Sequence, residues 1–371
     1  MKKIILIIML FFCFSMPVSA NNDAIGDAEN FYKSSGGEDL YSGDMLEDNG
    51  VTFSDPKSIL SLTPSKIWDM ITTTVKDKVT APLRLFVSVL IVIIFASLAD
   101  GMGKTVKSKE MSGVLQIVCT LAVVGVIYKP VCESIEIVTD TLTEGSEFMI
   151  SFIPVFSSIT AAGGHVTSAA GYSAAVYGFS NLSISAAKDF FMPLLSMCIC
   201  TAIVNCCCDG INLSGIINSV KKIVTWGLGF IMTIFTGLLS IQSIVGASAD
   251  SVAAKTAKYV ISNSIPLVGS AASDAYSTVK GSIILLKNGV GSIGIIALAV
   301  MLLPSLLHML MYKLSFFFLG SVSEIFGTKK LTILFNDINA VLSAAFGILI
   351  CFMLMFIIST GAVMSICTAS S

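Results

Sequence analysis

Long apolar runs separated by short polar segments occupy most of the chain from residue 83 onward. The first two runs are Leu83 to Ala99, with Arg84 at its edge, and Gly113 to Tyr128. A helix crosses the hydrocarbon core of a bilayer with about 20 predominantly apolar residues. The pattern therefore predicts two transmembrane helices within residues 83–131.

A shorter apolar run opens the chain. Lys2 and Lys3 precede the apolar stretch Ile4 to Phe14, and Pro17 leads into small residues that end at Ala20. A basic start, a short apolar stretch and small residues at the cleavage position are typical of a secretory signal peptide. We expect residues 1–20 to be cleaved. The alternative is an uncleaved anchor, which the short apolar stretch disfavours.

Residues 21–82 form the only long polar stretch. Up to Asn49 this stretch contains eight acidic residues and one lysine, so it cannot bury enough apolar surface to fold alone. From Asp55 onward apolar residues recur at helical spacing, which predicts one or two amphipathic helices on the outer membrane surface or on a partner. An ordinary soluble helix pair is the alternative. We expect the whole segment to be extracytoplasmic.

The charges between the apolar runs predict an orientation. With residue 21 outside, the first span crosses inward and the connection from Lys104 to Lys109 lies in the cytoplasm, as the positive-inside rule also requires. The acidic residues after the second span are predicted to form an outer loop. They are Glu133, Glu136, Asp140, Glu144 and Glu147.

The region from Phe148 onward shows landmarks that recur. Residues 148–247 and 259–364 each contain an Ile-Pro pair, a later proline in an apolar run, a lysine pair and a long closing span. The lysine pairs are Lys221-Lys222 and Lys329-Lys330. These landmarks predict two parallel membrane repeats with the C-terminus outside, and inverted repeats are the alternative.

Composition agrees with lipid as the main solvent. The chain is 54% apolar and only 12% charged, with a mean hydropathy of +0.88, whereas soluble domains carry about 25% charged residues. We therefore expect an all-α, polytopic helical membrane protein with an internal tandem repeat and interrupted, re-entrant-like helices. The formal net charge of −2 gives no basic surface for nucleic acid.

Glycines and prolines within the repeats are candidate helix breaks or pore-lining positions. Interrupted helices can line a cavity in which freed backbone groups meet water, although small residues also permit tight helix packing. Both interpretations stay open. The candidate residues are Pro154, Gly163, Gly164, Gly171, Gly178, Pro193, Pro266 and Pro304.

The sequence contains no recognisable catalytic, metal or cofactor motif, and we expect no enzyme activity and no cofactor. The cysteines between Cys198 and Cys208 are expected to be reduced packing residues, with acylation or metal binding as alternatives. Charges such as Asp250 and Glu324 are expected near span boundaries, which argues against a proton-coupled transporter.

Several phrases of the sequence resemble the stage III sporulation protein AE family, which occurs in endospore-forming bacteria. The resemblance covers nearly all of the chain after the signal and is weakest in residues 21–55. The phrases are Ile153 to Phe156, Ser168 to Tyr172, Trp226 to Gly237, Ser240 to Ser243 and Ile265 to Gly269.

The resemblance implies a membrane subunit of the mother-cell half of a channel complex between the mother cell and the engulfed forespore. It implies other stage III A proteins as partners, including an ATPase and ring-forming components, and indirectly a forespore membrane protein. The implied location is the mother-cell membrane around the forespore. The alternative function is a stand-alone secondary permease for a small solute, suggested by the repeat.

Overall fold

A computed structural model describes residues 80–98, 109–207, 213–264 and 269–368. The predicted signal peptide and most of the polar segment 21–82 lie outside these residues. The described residues form long α-helices and contain no strand. The elements are α1 (Thr80–Leu98), α2 (Lys109–Ala162), α3 (Val166–Ser185), a π-helical segment (Ala186–Phe191), α4 (Met192–Cys207), α5 (Ser214–Ser264), α6 (Gly269–Ile325) and α7 (Lys329–Thr368).

The helices are long compared with a membrane. Since α3 continues through the π segment into α4, the described residues contain six helices that are long and apolar enough to cross a bilayer. At about 1.5 Å per residue, the 57 residues of α6 extend about 85 Å, roughly twice the thickness of a bilayer with its headgroups. Only part of each long helix can therefore lie in the hydrocarbon core.

Successive spans alternate in direction along the chain, with α3 to α4 counted as one span, so their termini gather at two ends of the bundle. At one end, Ala96 of α1 and Cys119 of α2 line a small pocket together with Thr328 of the α6–α7 turn and Lys330 of α7. We call this the lysine end. The opposite end contains the α2–α3 turn at residues 163–165, and we call it the glycine end.

Aromatic packing holds α2 against α6 and α7, whose mutual contact is the most extensive in the bundle. Phe148 and Phe152 each contact the ring of Phe356, with ring centroids 5.8 and 5.3 Å apart. A Cβ atom at Gly294 of α6 would lie 2.3 Å from the Phe152 ring. This glycine therefore allows α2 and α6 to approach each other closely.

The fold confirms an all-α polytopic membrane protein and corrects one boundary. The second apolar run, the predicted acidic outer loop and the segment Phe148 to Gly163 are not separate: residues 109–162 form one helix of 54 residues. The acidic residues lie on a single helical face, and their backbone hydrogen bonds are made within α2. The acidic stretch is therefore part of α2 and not a loop between two helices.

The internal repeat stays a prediction. In the first copy α3, the π segment and α4 together precede α5, and in the second copy α6 precedes α7. Each copy thus contains a helical hairpin, but Pro154 lies within α2 whereas Pro266 lies outside the described residues. The described residues therefore do not establish the correspondence of the two copies.

Candidate functional site

The α2–α3 turn contains two of the candidate helix-break residues, Gly163 and Gly164. The backbone N–H of Gly164 donates to the carbonyl of Ala161 at 2.9 Å, and that of His165 donates to the carbonyl of Thr160 at 3.3 Å. This pair of bonds is a Schellman motif, in which one residue adopts a left-handed conformation. Gly164 supplies it with a φ of 82°, so the glycine pair ends α2.

The prolines behave differently. Pro154 lies inside α2 and Pro304 inside α6, and both helices continue through them. Pro193 is the second residue of α4, directly after the π segment. Pro266 lies outside the described residues. Neither Pro154 nor Pro304 ends a helix, which corrects the helix-break prediction for these two, whereas Pro193 lies where the π segment changes back to an α-helix. Each removes a helical hydrogen bond, which packing against neighbouring helices tolerates.

The two glycines of α3 occupy different surroundings. A Cβ atom at Gly171 would lie 2.4 Å from the Gln242 side chain of α5, so this glycine permits close packing between the two helices. A Cβ atom at Gly178 would meet nothing within 4 Å, and Gly178 is exposed. Gly171 therefore fits the packing interpretation, while a pore-lining role for either residue stays a prediction.

Five exposed carboxylates form a stripe along α2, which we call the acidic face. Residues three and four apart share one face of a helix, and the acidic residues follow that spacing. The opposite side of α2 is buried against the bundle. The acidic face comprises Glu133, Glu136, Asp140, Glu144 and Glu147.

Contacts with α6 determine the level of the acidic face in the bundle. The Ser134 hydroxyl lies 3.2 Å from Nε2 of His308, and the Thr141 hydroxyl lies 2.5 Å from that of Ser305. Both α6 residues fall within residues 288–312, a stretch of 25 residues without any acidic side chain, lysine or arginine. That length matches the roughly 20 residues of a membrane span.

Contacts with α7 lead to the same result. Gly145 lies against the ring of Phe352, and Phe148 contacts Phe356. Beyond Asp337, α7 contains no charged residue. The acidic face thus lies beside the charge-free parts of both helices, although the sequence predicted no charges at that depth. Carboxylates facing hydrocarbon are costly, so this face requires water or a polar partner.

A second group of polar residues lies at the glycine end. No side chain of its own caps α3 at His165. Instead, the backbone N–H groups of Thr167 and Ser168 donate to the two carboxylate oxygens of Asp250 in α5, each at 2.9 Å. Asp250 is 2% exposed. A carboxylate at this position satisfies two free N–H groups and the positive end of the helix dipole.

Two further ionisable side chains surround this cap. His165 is 2% exposed, with Nδ1 at 3.9 Å from the Asp250 carboxylate. Burial lowers the pKa of His165, and the positive charges of Lys280 and Lys287 lower it further, while Asp250 opposes them. Lys287 is 1% exposed and donates from Nζ to the carbonyl of Val363 at 2.9 Å.

The sequence contains local signals for some of these features. The 3-4-4-3 spacing of the acidic residues is itself helical. The sequence predicts Asp250 near a span boundary and makes no prediction for Lys287, yet a charge within an apolar helix commonly marks a functional position. Their convergence on one end of the bundle required the tertiary fold.

The cysteines of α4 do not converge on one point. Cys198 and Cys206 are buried, whereas Cys200 and Cys207 are exposed. The Cys206 thiol lies 3.4 Å from the carbonyl of Lys330. Among the described residues no three histidine, cysteine or acidic side chains are grouped closely enough to bind a metal ion. Cys208 lies outside the described residues.

Comparisons with known proteins agree with the resemblance of the sequence. The family model described as stage III sporulation protein AE matches residues 54–367. The chain is 28% identical over 162 residues to the stage III sporulation protein AE of Bacillus subtilis (strain 168). That alignment covers 44% of this chain and 41% of the relative, less than half the length of either. No solved structure matches.

Proposed function

The chain belongs to the stage III sporulation protein AE family, and from this premise we propose that it is an integral membrane subunit of a mother-cell-to-forespore channel complex. A sporulation role and a multi-pass membrane location follow from the family and the six apolar helices. The proposal adds that the acidic face of α2 borders a water-filled passage through this complex. Its location is the mother-cell membrane that surrounds the forespore.

The acidic face is the observation that carries the proposal. Five carboxylates lie on the outside of the bundle beside residues 288–312 of α6. If the chain were alone in a membrane, hydrocarbon would surround these carboxylates, which is energetically costly. Contact with a polar partner or with a water-filled passage removes this cost. A ring of carboxylates contributed by several subunits favours cations over anions, as acidic rings do in cation channels.

The outer surface of α5 supports a subunit that requires partners. Gly229, Thr233, Gly237 and Ser240 are exposed at spacings of three and four residues, and a Cβ atom at either glycine would meet nothing within 4 Å. Small residues in this pattern let a second membrane helix approach closely. The packing of this chain does not require these two glycines, so they are available to a helix from another subunit.

The partners follow from the family and not from a contact of this chain. We propose the other stage III A proteins, including an ATPase and ring-forming components, and indirectly a forespore membrane protein. In such an assembly this subunit provides the membrane part. Deleting its gene is expected to block spore formation after engulfment while vegetative growth continues. Normal numbers of heat-resistant spores from the deletion strain would contradict this role.

The passage is tested by cysteine accessibility in the full chain, expressed in sporulating cells with its own cysteines replaced. Glu144→Cys places a thiol on the acidic face. Leu182→Cys is the matched control: Leu182 is exposed on α3, and its neighbour Ser183 contacts Met355, at the level of Phe352 and Phe356.

A membrane-impermeant, charged thiol reagent is expected to modify Glu144→Cys and to leave Leu182→Cys unmodified. Modification of both thiols means that this level of the bundle lies outside the membrane, and protection of both means that the acidic face is not hydrated. Either result removes the passage from the proposal, while the sporulation role is judged separately by spore counts.

A stand-alone secondary permease is the second candidate, and the glycine end favours it. Transporter substrate sites commonly lie where a helix ends within the bundle next to buried ionisable residues. Helix α2 ends in this way beside His165, Asp250 and Lys287. If the chain is a permease, the purified chain reconstituted alone in vesicles transports a defined solute. Transport that appears only with partner subunits present supports the channel complex instead.

A further inference from the structure

The glycine end contains an unusual concentration of buried polar atoms without hydrogen bonds. Among the described residues, eight buried side-chain N or O atoms have no hydrogen-bond partner, and only one of them, on Asn339, lies far from this end. The other seven form what we call the polar layer. They are Nδ1 and Nε2 of His165, Oγ of Ser168, the Tyr172 hydroxyl, Oε1 of Gln242, Oδ1 of Asn288 and Oγ1 of Thr360.

Contacts between α3 and α5 bring part of the layer together. A Cβ atom at Gly246 would lie 2.8 Å from Oγ of Ser168, and one at Gly171 would lie 2.4 Å from Oε1 of Gln242. Since Asp250 follows Gly246 by one helical turn, Ser168 and Gln242 lie on the same side of α5 as the carboxylate that caps α3.

The remaining members come from α6 and α7. Tyr172 lies beside Ser359 and Thr360 of α7, and the hydroxyls of both are close to its own. Lys287, which precedes Asn288 in α6, donates to the carbonyl of Val363, one turn after Thr360. Four helices thus contribute buried polar groups at a similar level of the bundle.

Dry burial of this layer conflicts with the energetics of folding. A buried polar atom that is left without a hydrogen-bond partner destabilises the fold, and several such atoms in one region add to this loss. Buried polar groups in native proteins bind ordered water or an ion when no protein group is within reach.

We propose that the polar layer is an internal hydration site, in which ordered water molecules bridge His165, Ser168, Tyr172, Gln242, Asn288 and Thr360. Water fits because the layer needs both a donor, for the amide oxygens of Gln242 and Asn288, and an acceptor, for the hydroxyls. A metal cation offers no donor and meets the nearby positive charge of Lys287. This site is separate from the acidic face and does not depend on the proposed function.

X-ray hydroxyl-radical footprinting tests the site, because radicals form at internal water and modify the side chains next to it. The probe is the full chain, purified in detergent. Tyr172, 2% exposed, is expected to be modified nearly as fast as Tyr259, which is 70% exposed. Phe152, fully buried in an apolar contact, is the unmodified control. Absence of modification at Tyr172 while Tyr259 reacts overturns the proposal.

Removal of single amides gives an independent test with a definite sign. If water bonds the amide oxygens, Gln242→Met and Asn288→Leu each lower the midpoint of thermal unfolding, since the bridging water loses a partner. If the layer is dry, both substitutions leave the midpoint unchanged or raise it, because an unpaired polar group has been removed. The second outcome overturns the site. Ser343→Ala, which removes a hydroxyl bonded to the carbonyl of Asn339 in its own helix, is the control.

Discussion

The buried carboxylate of Asp250 caps the N-terminus of α3, for which the sequence next to α3 supplies no capping side chain. Helix α3 begins at Val166 without a capping side chain, and Asp250 accepts hydrogen bonds from the backbone of Thr167 and Ser168 instead. Hydrogen bonds to a charged group contribute about 1.5–3 kcal/mol. The attachment of α3 to α5 therefore depends strongly on this one residue.

We predict that Asp250→Asn lowers the stability of the purified chain by about 1–3 kcal/mol, because an amide offers one acceptor oxygen where the carboxylate offers two. Thermal unfolding in detergent measures the change. Asp189→Asn is the control, since Asp189 is exposed in the π segment. Equal unfolding midpoints for the two variants would show that the cap contributes nothing.

The lowered pKa of His165 gives a second prediction at the residue scale. The folded state holds this imidazole at a pKa below its ordinary value of 6.5 through burial and the charges of Lys280 and Lys287. Below that ordinary value the unfolded state binds more protons than the folded state, so stability falls as pH falls. The contribution is fully present above about pH 6.5 and is lost on acidification through that value.

Unfolding measured between about pH 8 and pH 5 should therefore show a loss of stability that His165→Gln reduces. His308→Gln, at the only other histidine of the chain, provides the comparison. An unchanged pH slope in His165→Gln would place the titrating group elsewhere.

At the scale of elements, the contact between α3 and α5 depends on glycine. A Cβ atom at Gly246 would lie 2.8 Å from Oγ and 3.0 Å from Cα of Ser168, so an added methyl group meets backbone as well as side chain. Gly237 lies two and a half turns earlier in the same helix and faces open space. The two positions form a matched pair.

Gly246→Ala is expected to separate α3 from α5 and to destabilise the chain by about 1–3 kcal/mol, as overpacking does. Gly237→Ala is expected to raise stability by up to about 1 kcal/mol, because alanine favours the helix. Chemical or thermal unfolding of the two variants measures both changes in stability. Equal effects would mean that α3 and α5 are not in close contact.

The sequence predicted the presence of the apolar helices more accurately than the residues at which they begin and end. Runs such as Leu83 to Ala99 coincide with described helices because lipid-compatible segments require only local composition. Charge density alone predicts a loop at residues 133–147, whereas the spacing of these charges is helical. A proline in an apolar run predicts a break at Pro154, but packing against α6 and α7 maintains α2 through it. The polar layer depends on four helices meeting and has no local signal.

At the scale of the whole molecule, three parts of the chain meet at one end of the bundle. Lys330 at the start of α7 lies beside Cys206 at the end of α4, and Ser97 of α1 donates to the carbonyl of Phe326. The end of α1, the end of α4 and the α6–α7 turn therefore share the lysine end. From the positive-inside rule we predict that this end faces the cytoplasm and that the glycine end faces outward.

Single cysteines at the two ends test this orientation in intact cells, with the other cysteines replaced. Glu324→Cys and Lys258→Cys both lie at exposed positions, the first next to the α6–α7 turn and the second beyond the glycine end in α5. A membrane-impermeant maleimide should label Lys258→Cys in intact cells and Glu324→Cys only after permeabilisation. The opposite pattern would place Lys329 and Lys330 outside and reverse the orientation. Labelling of both cysteines in intact cells would contradict a bundle that spans the membrane between its two ends.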